Sequence, residues 1–208
     1  MTGLLPILIM AGGYAFASAV QPGPFLAYLV SQSLTHGWRR TLPAAFAPFL
    51  SDGPIIVVVL FILTRLPPAM LIYLRLAGGV FLLYLAYGAF RSWRTFRTDE
   101  SLPPTAGGQT VMKAALVNLL NPGPWLAWSL VLGPLLLKAW DQSATHGIAM
   151  LAGFYSVMVL SLMGIIIIFG VARQAGPRLT RALVGLSALA LLGFGIYQIW
   201  LAAVALRS

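Results

Sequence analysis

The chain contains no cysteine, which removes disulfide frameworks, thiolate metal centres and thiol redox chemistry from consideration. Acidic residues are nearly as scarce: Asp52, Asp99, Glu100 and Asp141 are the four, and His36 and His146 are the two histidines. No His/Asp/Glu group has metal-ligand spacing, and both histidines fall at the ends of apolar runs, where a surface role is expected. Intramembrane hydrolysis needs a Ser/His, paired-Asp or metal constellation at one depth. Only one acid lies deep in an apolar run, so no enzyme, cofactor or metal is expected. No Lys or Arg precedes Arg39, so the basic leader of a cleaved signal peptide is missing, and Met1–Val20 reads as a retained first span.

What fills the chain is hydrocarbon. Of 208 residues, 60% are hydrophobic and 8% charged, and the mean hydropathy is +0.91. That composition predicts an all-α integral membrane protein with six transmembrane helices of about 20 residues each. Apolar runs and breakers place the spans near Leu4–Leu34, Thr41–Thr64, Met70–Phe90, Val111–Leu137, Thr145–Val171 and Leu183–Val204. Asp99, Glu100, Pro103, Pro104, Gly107 and Gly108 mark a polar connector. The expected organisation is a three-helix repeat over 1–98, a cytoplasmic connector over 99–110 and a second three-helix repeat over 111–208.

The repeat rests on one phrase written twice, a hundred residues apart: Gln21-Pro22-Gly23-Pro24-Phe25-Leu26-Ala27 and Asn121-Pro122-Gly123-Pro124-Trp125-Leu126-Ala127. Pro-Gly-Pro removes backbone donors and breaks the hydrogen-bond ladder that a bilayer otherwise enforces. The first and fourth helices should therefore be broken there, and paired breaks in corresponding positions point to a transporter's binding site. Gly78 and Gly88 recur at the same separation as Gly185 and Gly195, a weaker echo that also suits close helix packing.

The formal net charge of +9 is a matter of topology. Arg39, Arg40, Arg91, Arg94, Arg97, Lys113, Arg173, Arg178 and Arg181 all fall in the first, third and fifth connections. Arg65, Arg75, Lys138 and Arg207 are spread over the other side, Arg75 close enough to a span end to snorkel. The positive-inside rule then puts both termini outside the cytoplasm. No basic, aromatic-interleaved soluble face exists for nucleic acid. With three spans per half, the second copy enters from the opposite side, which makes the repeats inverted. Trp38, Trp93, Trp140 and Trp200 sit near span ends as interfacial anchors.

At each break one half-helix ends in unpaired carbonyls and the next begins with free N–H groups, partial charges of opposite sign. A zwitterion matches the pair, whereas an ion or neutral solute matches half of it. The expected substrate residues are Gln21, Pro22, Gly23, Pro24 and Phe25 with Asn121, Pro122, Gly123, Pro124 and Trp125. Gln21 and Asn121 serve either as ligands or as caps. Asp52 sits near mid-depth of the second span, where a carboxylate costs at least ~2.5 kcal/mol to insert. It is expected to carry protons or contact substrate, or else to cap a second break supported by Ser51, Gly53 and Pro54.

Pro22-Gly23-Pro24 after an apolar first span, Gly37 and Arg39 beyond it, Gly78-Gly79 and Leu83-Tyr84-Leu85 in the third span, and Asn121-Pro122 together resemble the LysE/RhtB family of bacterial amino-acid exporters. The resemblance covers nearly the whole chain. It implies a multi-pass protein of the bacterial cytoplasmic membrane that exports amino acids or related small molecules, driven by the proton gradient. The expected partners are a small-molecule substrate and the lipid bilayer, with room for a homodimer. One position departs: family members commonly carry an acidic or amide residue where Phe25 stands, so the polar role moves to Asp52 or the substrate differs. An ion or lipid-linked permeation pathway and a non-catalytic scaffold are the competing readings.

Overall fold

A computed structural model describes residues 3–62, 68–94 and 107–206. Of the predicted connector over 99–110, residues 99–106, with Asp99, Glu100, Pro103 and Pro104, lie outside them, as do Thr64, Arg65, Arg97 and Arg207, while 107–110 open a helix. Every regular element described is helical. In chain order they are α1 (Leu4–Val20), α2 (Pro24–His36), α3 (Trp38–Thr41), a 3₁₀ turn (Leu42–Phe46), α4 (Ala47–Ile62), α5 (Pro68–Arg94), α6 (Gly107–Leu120), α7 (Pro122–Ala127), a π turn (Trp128–Leu132), α8 (Gly133–Gln142), α9 (Ala144–Ala172), a 3₁₀ turn (Arg173–Ala175) and α10 (Pro177–Ala205).

Four stretches are long and apolar enough to cross a membrane unaided: Trp38–Leu60, Ile72–Arg91, Ala144–Ala175 and Arg178–Ala205. Two bent pairs raise the number to as many as six if each is one span, Leu4–Val20 with Pro24–His36 at 63° and Gln109–Leu120 with Pro122–Gln142 at 57°. Both breaks fall on the duplicated phrase, and their local chemistry differs. Asn121 alone leaves the helix: its side-chain oxygen accepts from Gly123 N at 3.1 Å, and Pro122 occupies the first helical position, where no N–H is needed. In the first copy Gln21, Pro22 and Gly23 all stay out of helix, and α2 restarts at Pro24 with no side-chain cap. The extra methylene of glutamine removes the short-range cap that asparagine provides.

The sequence suggested a further break at Ser51-Asp52-Gly53-Pro54, and none forms, because α4 runs through all four residues with Pro54 inside it. Ser51 Oγ donates back to the carbonyls of Ala47 at 3.2 Å and Pro48 at 3.4 Å, the pattern of a serine in a helix interior. Ser51, Gly53 and Pro54 therefore support no helix break.

The packing has three principal pairs. α1 lies along α9, with Leu8 facing Gly153 and Gly12 facing Val157, so the two run parallel. α4 lies along α6 and the segment beyond it, with Ser51 and Asp52 meeting Asn118, and Val59 near Gly133. α5 and α10 run antiparallel and form the largest contact, where the backbones of Gly79 and Gly195 meet. Glycine permits that approach, since a methyl on Gly79 would lie 2.9 Å from the Gly195 carbonyl oxygen. Of the predicted glycine echo, Gly78, Gly185 and Gly195 sit against neighbours, whereas a Cβ on Gly88 would meet nothing within 4 Å.

One end of the bundle gathers the basic connections. Arg173 lies beside Gly37, Thr180 Oγ1 donates to the Arg173 carbonyl at 2.8 Å, and the Arg181 guanidinium covers the Trp93 ring at 5.5 Å. The outward surface is apolar along its length, with Leu60, Leu160, Ile168 and Leu186 among the exposed side chains.

Candidate functional site

Between the two breaks lies a cavity of about 470 Å³. Gln21, Pro22, Gly23, Pro24 and Phe25 line it from the first phrase, and Asn121, Gly123 and Pro124 from the second. Two of the predicted substrate residues do not reach it. Pro122 is buried in the first turn of α7, and Trp125 is 5% exposed with its indole N–H donated to the Leu119 carbonyl at 2.7 Å. Trp125 thus satisfies a carbonyl at the end of α6 that the break deprives of a helical partner.

Asp52 belongs to the same cavity wall and is 3% exposed. Its Oδ1 accepts from Asn118 Nδ2 at 2.9 Å, and its Oδ2 from the Tyr155 hydroxyl at 3.3 Å. The Trp128 indole lies close by on the same cavity wall. Asn118 Nδ2 also reaches Ser51 Oγ at 2.8 Å. Donors from α6 and α9 thus converge on one acid from α4, and no described Lys or Arg forms an ion pair with it. Burying a carboxylate without water is tolerable only when such donors replace its hydration.

The supporting shell is aromatic. Tyr155 stacks on Phe49 at 4.4 Å between ring centres and meets Phe154 edge-on at 5.1 Å, while Phe154 meets Trp128 edge-on at 5.7 Å. The π turn brings Trp128 into this arrangement, and its closing bond runs from Gly133 N to Trp128 O. Any side chain at Gly133 would collide with that carbonyl. One more polar group faces the cavity from α10: Gln198 lines it, with its side-chain oxygen buried and unpartnered among the described residues.

Sequence reasoning placed Asp52 and the breaks but passed over Asn118, Trp128, Tyr155 and Gln198. Asn118 had a readable signal, an amide in an apolar run three residues before Asn121. Tyr155 and Trp128 had none, because aromatics in membrane helices usually pack or anchor.

The chain matches the LysE type translocator family over residues 16–201. It belongs to that family. No curated protein and no solved structure matches it. As a LysE translocator it is a multi-pass membrane transporter and not an enzyme, and the family's activity implies export of small molecules of the amino-acid class. In a translocator, a mostly apolar chamber between two broken helices, with a few side-chain amides and one buried acid on its wall, is suited to enclosing one small solute.

Proposed function

We propose that this LysE translocator is a proton-coupled exporter of amino acids or related small zwitterions, seated in the bacterial cytoplasmic membrane with both termini outside. The observation that carries the reading is Asp52 on the wall of the cavity shared by both breaks. A carboxylate in that position holds either a proton or the ammonium group of a substrate, and not both. Loading substrate from one side releases the proton, and reprotonation from the other side releases the substrate, which gives exchange of one for the other. The substrate's carboxylate is served by free N–H groups at the start of α2 and by the side-chain amides of Gln21 and Asn121.

The site residues Gln21, Pro22, Gly23, Pro24, Phe25, Asn121, Gly123 and Pro124 form the substrate chamber in this reading, and Asp52 couples it to protons. The architecture we infer is two inverted three-helix repeats, 1–98 and 111–208, joined by a cytoplasmic connector. In its favour, α1 pairs with α9 in parallel as α4 pairs with α6, and α5 pairs with α10 in antiparallel. These are first-with-fifth, second-with-fourth and third-with-sixth pairings, the pattern that exchanging two halves leaves unchanged.

The test is efflux from proteoliposomes loaded with radiolabelled amino acids, with and without an imposed pH difference. Saturable efflux that the gradient accelerates is expected. Unsaturable flux that ignores the gradient would instead support a permeation pathway.

A further inference from the structure

We propose that the basic end of the bundle carries a second binding site, separate from the transport cavity, for a phosphate-bearing anion held by His36, Arg40, Lys113 and Arg173. Three regions of the chain bring these groups together. His36 closes α2 and Arg40 lies in α3, Lys113 projects from α6, and Arg173 follows α9. His36 lies within electrostatic reach of Arg40, Lys113 and Arg173. The corner between α2 and α3 is Gly37, at φ 83°, and a side chain there would meet Arg173 Nη1 at 3.4 Å, so the guanidinium rests against that corner. Helix packing of α3 against both α6 and α9 holds the three regions together.

No acid balances this cluster among the described residues. The described carboxylates are Asp52, bonded inside the cavity wall, and Asp141, which follows Trp140 at the opposite end of the bundle near the start of α9. Like charges gathered together repel one another, and a bound anion relieves that repulsion. Two guanidinium forks and an ammonium exceed what one carboxylate can accept, whereas phosphate offers several acceptor oxygens in the geometry arginine prefers. Trp38 sits beside the cluster, packed on Gly170 with the Arg39 guanidinium 5.2 Å above its ring, an arrangement suited to headgroup depth. The anion comes either from an anionic lipid or from free phosphate, and the chemistry of recognition is shared.

Native mass spectrometry of the detergent-solubilised protein, titrated with phosphatidylglycerol or phosphatidylcholine, is paired with calorimetric titration of inorganic phosphate. Preferential retention of phosphatidylglycerol without phosphate binding assigns the lipid, and phosphate binding without lipid preference assigns the free anion. Whichever binds should weaken about fivefold for each charge removed in Arg173→Gln, Lys113→Gln and Arg40→Gln. Arg94→Gln, at the same end but outside the cluster, should leave binding unchanged. Circular dichroism identifies any variant that fails to fold, and the remaining single variants then decide. Equal retention of both lipids with no phosphate binding overturns the site. So does unaltered binding in the folded cluster variants, or an equal loss in Arg94→Gln.

Discussion

In the proposed mechanism transport turns on Asp52, and its surroundings allow coupling and folding to be separated. Asp52→Asn keeps the shape and removes both the charge and the exchangeable proton, so pH-driven efflux should fall at least tenfold while the thermal midpoint in detergent changes little. Retained coupling in a folded Asp52→Asn protein would remove the acid from the mechanism. Asn118→Leu tests the opposite quality. It strips the buried carboxylate and Ser51 of a shared donor, and should destabilise the protein by about 1–3 kcal/mol in denaturant or thermal unfolding. A stability loss well below that range would mean the acid is hydrated where the structure shows a protein donor. The acid itself was legible in the sequence because a lone carboxylate in an apolar run is costly wherever it sits. Its partners were not, because asparagine, tyrosine and tryptophan acquire their roles only when distant helices meet, across 66 and 103 residues for Asn118 and Tyr155.

At the scale of elements, the breaks at Gln21–Gly23 and Asn121 were readable because proline and glycine act locally, through a missing donor and a fixed φ. The same rule misled at Pro54: proline inside α4 disturbs one turn, and packing against α6 holds the helix together. The π turn at Trp128–Leu132 left no local mark beyond Gly133, whose need for a bare Cα is visible only with the carbonyl of Trp128 in place. The unequal construction of the two breaks gives a paired prediction. Asn121→Ala deletes a cap and should cost about 1 kcal/mol of stability. Gln21→Ala deletes none and should leave unfolding unchanged while weakening substrate binding, read as a raised KM for efflux. Equal destabilisation by both would mean that the two amides play the same structural part.

The whole molecule raises the question of which way it faces. Length and composition pointed to a six-span bundle, and the structure supplies four unaided spans, or up to six if each bent pair is one span. The charge pattern adds direction, because the basic ends of α5 and α9 and the basic starts of α3, α6 and α10 lie together, while Lys138 stands among the opposite turns. The positive-inside bias predicts that the Arg39, Arg94 and Arg173 end faces the cytoplasm. The absence of cysteine makes the point directly measurable, since any introduced thiol is the only one in the chain. Thr2→Cys and Thr145→Cys should react with a membrane-impermeant maleimide in intact spheroplasts. Gln174→Cys, at the basic end, should react only after the membrane is permeabilised. The reverse pattern would turn the molecule over and make the inferred exporter load from the wrong side. Labelling of all three in intact spheroplasts would mean that Gln174 is reached through the protein, as in a water-filled pathway, and would favour permeation over alternating access.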